Sequence, residues 1–172
     1  MTTSGQEAAE SGIAQREAPP GPAPLLVFGW GNPSRGDDAL GPLCAQRLRA
    51  SRVDVECLDD FQLQAEHALD LVGRQRVLLV DASLCCRAPY ETTVLRPGRD
   101  DSVTTHALSP QALLGVYRQV RGEVPPPCTL LAIRGERFEL GEPPSPEALA
   151  HLDAALAWAK AWLDAPASPP PD

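Results

Sequence analysis

Phe28-Gly29-Trp30-Gly31-Asn32-Pro33-Ser34-Arg35-Gly36-Asp37-Asp38-Ala39-Leu40-Gly41 is the stretch on which the reading of this chain turns. The apolar run Leu25-Leu26-Val27-Phe28 enters it, glycines and a polar turn follow, then two adjacent carboxylates, then a helical pattern. That order predicts a strand, a loop and a helix, and in open α/β sheets ligands bind beyond the carboxyl ends of strands. A dinucleotide loop needs G-x-G-x-x-G; Gly29 and Gly31 fit, but Ser34 takes the third position. A P-loop needs Gly-Lys-Ser/Thr, and the stretch has no lysine. Two carboxylates at the loop's end repel a pyrophosphate where a bare helix N-terminus attracts one. The charge suits a cation.

The 172 residues point to one domain. At 43% hydrophobic and only 5% aromatic, the chain must build its core from aliphatic side chains. A net charge of −8 argues against nucleic acid and anionic membranes as partners. No run approaches the ~18 apolar residues of a membrane span. Residues 1–23 lack the apolar segment of a signal peptide and are rich in Ser, Gly, Glu, Ala and Pro, so they read as a disordered lead-in. Residues 165–172, heavy in proline, read the same way, which leaves 24–164 as the folded domain. Five cysteines (Cys44, Cys57, Cys85, Cys86, Cys128) without C-x-x-C spacing fit reduced thiols and a cytoplasmic protein.

Along the chain, Leu40, Leu43, Cys44 and Leu48 keep helical spacing after the opening strand, with Pro42 in the first turn. Val53, Val55, Cys57 and Leu58 suggest a second strand; a short helix over 65–72 follows and Gly73 stops it. Val77-Leu78-Leu79-Val80 is continuously apolar, as a strand covered on both faces should be, and ends at Asp81. A more polar strand over 90–95 fits a sheet edge. Ser109-Pro110 starts a third helix, residues 128–133 form a fifth strand, and 135–140 read as a short sixth. Ser145-Pro146 then caps a long last helix with Leu149, Leu152, Leu156 and Leu163 on its apolar stripe. Strands alternating with helices imply a three-layer αβα fold. Its sheet is mainly parallel, of about five strands, with one antiparallel strand.

Three segments carry candidate chemistry: Asp37 and Asp38 after the first strand, Asp70 on the second helix, and His106 ahead of the third. His67, three residues before Asp70, is an alternative ligand. No Gly-x-Ser-x-Gly elbow and no His-Glu-x-x-His helix is present. Carboxylates with one imidazole suit a divalent transition ion, with water or substrate completing its shell.

The pattern Gly29-x-Gly31-Asn32-x4-Asp37-Asp38-x2-Gly41, then Asp81-Ala82, then Thr105-His106, resembles the hydrogenase maturation endopeptidase family, over about residues 25–163. The resemblance implies a phosphorylase/hydrolase-like fold and an endopeptidase with an aspartate-based activity. Such an enzyme removes a C-terminal extension from the large-subunit precursor of a nickel–iron hydrogenase after nickel insertion. It further implies nickel contacts at Asp38, Asp70 and His106, with the nickel supplied by the precursor. Where many members carry Glu, this chain has Asp38, a methylene shorter, so Asp37 stays open beside it as the catalytic carboxylate. Asp59-Asp60-Phe61-Gln62 with Gln64-x-Glu66-His67 is similar to the branch serving cytoplasmic NAD-reducing hydrogenases. A monomer is expected. A resident metal, and an inert assembly chaperone binding the same precursor, are the competing readings.

Overall fold

The computed structural model describes residues 21–98 and 108–166. His106 and most of the expected lead-in and tail lie outside the described residues. Five strands form one sheet: β1 (Leu25–Trp30), β2 (Glu56–Asp60), β3 (Arg76–Ser83), β4 (Tyr90–Val94) and β5 (Cys128–Arg134). Their spatial order is β2-β1-β3-β5-β4, parallel throughout except for β4, which runs antiparallel to β5 at an edge. The expected sheet is therefore the one observed.

Period-two alternation decides which helix each strand residue meets. Val27, Leu78, Val80, Leu131 and Ile133 turn to one face, where α1 (Leu40–Ser51) and α3 (Pro146–Asp164) cover them. Leu26, Phe28, Val77 and Leu79 turn to the other, against α2 (Pro110–Arg121) and a 3-10 helix, Ala65–Leu71. Because both faces are covered, the central strands read as unbroken apolar runs. Leu152, Ala155, Ala159 and Leu163 of α3 are buried, and each fully buried leucine contributes on the order of 2 kcal/mol. Trp158 and Trp162 flank that stripe, Trp158 with its ring 6.1 Å from Tyr90 and Trp162 under the Arg76 guanidinium at 4.4 Å.

Local signals end the helices as expected. The Ser109 hydroxyl accepts from the Ala112 N–H at 3.1 Å with Pro110 at the first helical position, and Gly122 closes α2 at φ +67°. Four differences stand out. Val53, expected in the second strand, is fully exposed, and β2 begins at Glu56. The second helix is a 3-10 helix, and Leu69 on it is 60% exposed. The first helix is entered through a separate 3-10 turn, Gly36–Ala39. Residues 135–140 form no strand; they belong to a connection bonded to the β1–α1 loop.

Candidate active site at the carboxyl ends of strands β1 and β3

Going from β1 the chain pairs first on one side, with β2, and then on the other, with β3. The crevice above the carboxyl ends of β1 and β3 is thus a topological switch point, where α/β sheets place their ligands. Two glycines let the β1–α1 loop fold back onto that edge. A Cβ on Gly29 would overlap the Gly41 carbonyl, and one on Gly31, at φ +145°, would overlap the Asp38 carbonyl. They serve backbone packing, not a phosphate.

The loop then sets its two acids in different directions, since successive residues of a 3-10 turn point about 120° apart. Asp38 is half-buried and its charge acts on Asp81. Its Oδ2 accepts the Asn32 N–H at 2.9 Å, and its own N–H donates to the Arg35 carbonyl at 3.0 Å. Asp37 is fully buried on the other side. Its carboxylate accepts the N–H groups of Glu136 (2.8 Å), Arg137 (2.9 Å) and Ser145 (2.7 Å), and the Ser145 hydroxyl at 3.1 Å. Burial pushes its pKa up, but these four hydrogen bonds outweigh it and hold the carboxyl below the usual carboxylate range. Both carboxylate oxygens of Asp37 are thus engaged by donors from residues 136–145.

Asp81 ends the apolar part of β3 and is the group that the sequence reading passed over as a site residue. Burial pushes its carboxyl up to about 7; the nearby charge of Asp38 adds to the shift, against a hydrogen bond from the Ala82 backbone. Asp38 and Asp81 therefore act on each other as like charges at this edge of the sheet. The signal for Asp81 was an ionisable residue at the carboxyl end of a continuously buried strand.

Asp70 sits elsewhere. Burial raises its pKa, and the charged groups acting on it are His67, Arg74 and Glu56, not Asp38. Arg74 reaches Glu56 at 2.6 Å, and Glu56 pairs with Leu26 at the opposite end of the sheet from Trp30 and Asp60. Four strand residues separate those ends, about 13 Å. The structure thus brings Asp81, rather than Asp70, to Asp38. His67 has both ring nitrogens engaged: Nδ1 accepts the Gln64 N–H at 2.9 Å, which leaves the proton on Nε2 for Asp60 at 3.2 Å. Its ring packs 4.5 Å from Phe28. His151 is likewise held, through Nδ1 to the Arg134 carbonyl at 2.9 Å.

A cavity of about 150 Å³ opens beside the β1–α1 loop, lined by Gly31, Pro33, Pro42, Asp59, Asp60 and Phe61. Asp59 is paired with Arg49 at 2.7 Å, while Phe61 is 61% exposed at the rim. Cys44, Cys57, Cys86 and Cys128 are buried and Cys85 is exposed, all as free thiols. Among the described residues, no group of three or more His, Cys, Asp or Glu side chains is arranged to hold a metal ion. Among the same residues, no helix is long and apolar enough to cross a membrane.

No protein-family model matches the chain, and no curated protein does. Solved structures do. The fold, a mainly parallel five-stranded sheet with one antiparallel edge strand between helices, is similar to that of solved hydrogenase maturation proteases. The hydrogenase maturating endopeptidase HybD from E. coli is 26% identical, with a TM-score of 0.63 over 81% of this chain and 91% of that one. The nickel–iron hydrogenase maturation protease HycI from Thermococcus kodakarensis KOD1 is 22% identical, with a TM-score of 0.65 over 83% and 94%. The hydrogenase 2 maturation peptidase from Thaumarchaeota archaeon SCGC_AB-539-E09 gives 23% and 0.59 over 81% and 97%.

Proposed function

We propose that this chain is an endopeptidase that removes the C-terminal extension of a nickel–iron hydrogenase large subunit, acting as a monomer on the nickel-loaded precursor. The observation that carries the reading is the Asp38–Asp81 pair at the switch point of a hydrogenase maturation protease fold. Two close carboxylates in a poorly solvated crevice repel each other. A divalent cation seated in the substrate relieves that repulsion and displaces the proton that Asp81 otherwise keeps. Precursor that carries nickel then binds in preference to empty precursor, so the metal serves as the recognition element. His106 is the third contact expected from the resemblance; Asp70 is not carried into the set.

Cleavage needs a polarised carbonyl and an activated water. The substrate's nickel supplies Lewis acidity at the carbonyl or at that water. Asp38, whose carboxylate accepts the Asn32 N–H, takes the proton from the attacking water in this reading. Asp81, whose carboxyl burial pushes up to about 7, is the second oxygen donor once that cation arrives. A cytoplasmic location goes with this reading, in keeping with five unpaired thiols. So does the branch for NAD-reducing hydrogenases, which rests on Asp59-Asp60-Phe61-Gln62 with Gln64-x-Glu66-His67.

The test is the mass of the large subunit after incubation with the chain, using nickel-loaded and nickel-free precursor side by side. Loss of the extension from loaded precursor only is the expected result. Equal trimming of both sinks the recognition role of nickel, and trimming of neither sinks the protease. His106→Ala separates a protease, which then leaves the extension in place, from a chaperone, which still supports maturation.

A further inference from the structure

We infer that Asp37 is a positioning residue for Asp38: its buried carboxylate locks the β1–α1 loop to residues 135–145, and that lock fixes where the Asp38 carboxylate lies. The inference rests on Asp38 acting in the reaction proposed above. Its geometric basis is a two-sided seam. On the backbone, the Gly36 N–H donates to the Glu142 carbonyl (2.9 Å), the Asp37 N–H to the Arg137 carbonyl (2.7 Å), and the Gly141 N–H to the Ser34 carbonyl (2.7 Å). At the centre of that seam the Asp37 carboxylate collects its four donors. One of them, the Ser145 hydroxyl, is also the N-cap of α3, accepting from the Ala148 N–H at 3.2 Å. The buried anion is therefore tied to the amino end of a 19-residue helix, where its charge is favoured.

Hydrogen bonds to an ionised acceptor are shorter and more directional than neutral ones, so this seam permits little movement. Asp38 is the very next residue. Its side chain closes back on the Asn32 N–H, and its carbonyl lies against Gly31, where no Cβ fits. Movement of Asp37 must pass into that small closed loop.

Three variants grade the lock. Asp37→Asn keeps the volume but turns an amide NH2 toward donors. Gly135→Ala keeps the carboxylate but places a Cβ 2.8 Å from the Asp37 Cβ and 3.2 Å from the Phe138 ring, so that one of them must shift. Ser145→Ala removes one donor of four. Two readouts apply to each: the backbone amide resonance of Asn32, which reports its bond to Asp38, and kcat and KM for processing of nickel-loaded precursor. The expected result is a displaced Asn32 resonance with kcat lowered about 10- to 100-fold and KM within about two-fold, in Asp37→Asn and Gly135→Ala, and a smaller effect in Ser145→Ala. An unmoved Asn32 resonance in folded Gly135→Ala overturns the inference, as does a kcat that stays at the wild-type value. Should Asp37→Asn fail to fold, Gly135→Ala decides. Should the wild-type chain leave the precursor uncut, the proposed function falls while the Asn32 resonance still decides this point.

Discussion

Asp37 and Asp81 are both withdrawn from water within one small region, yet their acidities move in opposite directions. Asp37 has no solvent-exposed surface and is nonetheless held below the usual carboxylate range, because four donors converge on it. Asp81 has one backbone donor and a like charge nearby, and it is pushed up to about 7. Burial raises both; the number of donors decides the sign. A saturated carboxylate is structural cement, whereas an under-satisfied one is available to a ligand. That difference assigns the roles of the neighbouring acids better than their order in the chain does.

The comparison breaks most visibly in activity. Asp38→Asn and Asp81→Asn are each expected to slow processing of nickel-loaded precursor by about 10²- to 10³-fold, since each removes a charge from the reacting centre. Single-turnover processing followed by mass spectrometry measures this. The pair also predicts that Asp38→Asn lowers the Asp81 titration only part of the way, because burial is the larger cause.

Stability is the second place to look. Asp37→Ala takes the acceptor from the buried Ser145 N–H and from the part-buried N–H groups of Glu136 and Arg137, at about 1–3 kcal/mol for a buried unsatisfied group and less for the others, so a loss of about 2–4 kcal/mol is expected at pH 7. The sign with pH follows from a lowered folded pKa. The stabilisation is present above the unfolded pKa and disappears as pH falls through the folded one. The gap between wild type and Asp37→Ala in urea melts therefore narrows below the ordinary carboxylate range.

How far the sequence reaches follows the same division between local and distant causes. Strands β1 and β3, and the caps Ser109-Pro110 and Ser145-Pro146, are legible because apolar runs and capping oxygens act over a few residues. Residues 135–140, expected as a strand, form none because their long-range hydrogen bonds join them to Arg35 and Asp37, about a hundred residues earlier, and to Ser83. Asp37 and Asp38 are adjacent and of one type, so no register argument separates them; only their partners do. Asp81 was visible as a motif but gained its role from Asp38, a neighbour brought by the β1–β3 pairing.

The raised acidity constant of Asp81 makes a smaller and oppositely signed prediction. A group with a raised folded pKa favours the fold fully below its unfolded pKa, and that contribution is lost as pH rises through about 7. At pH 8 the charged form is held in the crevice at a cost of about 2–4 kcal/mol. Asp81→Asn removes this cost, so the variant is expected to melt above wild type at pH 8 and level with it near pH 4. A variant that is inactive yet more stable at alkaline pH is what a site built on an under-satisfied acid requires.

Asp70 gives the smallest expected effect and the sharpest division between resemblance and geometry. The resemblance pointed to it as a nickel contact, while its electrostatic partners are His67, Arg74 and Glu56. Arg74 is already satisfied by Glu56, by the Asp70 carbonyl at 2.8 Å and by the Ala23 carbonyl at 2.8 Å, so it does not depend on the Asp70 carboxylate. Asp70→Asn should therefore shift stability by no more than about 0.5–1 kcal/mol, toward stabilisation at neutral pH because the raised pKa marks a disfavoured charge. Processing should stay within about two-fold of wild type. A loss near that of Asp81→Asn would instead place Asp70 at the metal. The precursor would then have to draw the 3-10 helix Ala65–Leu71 toward the carboxyl end of β1 as it binds.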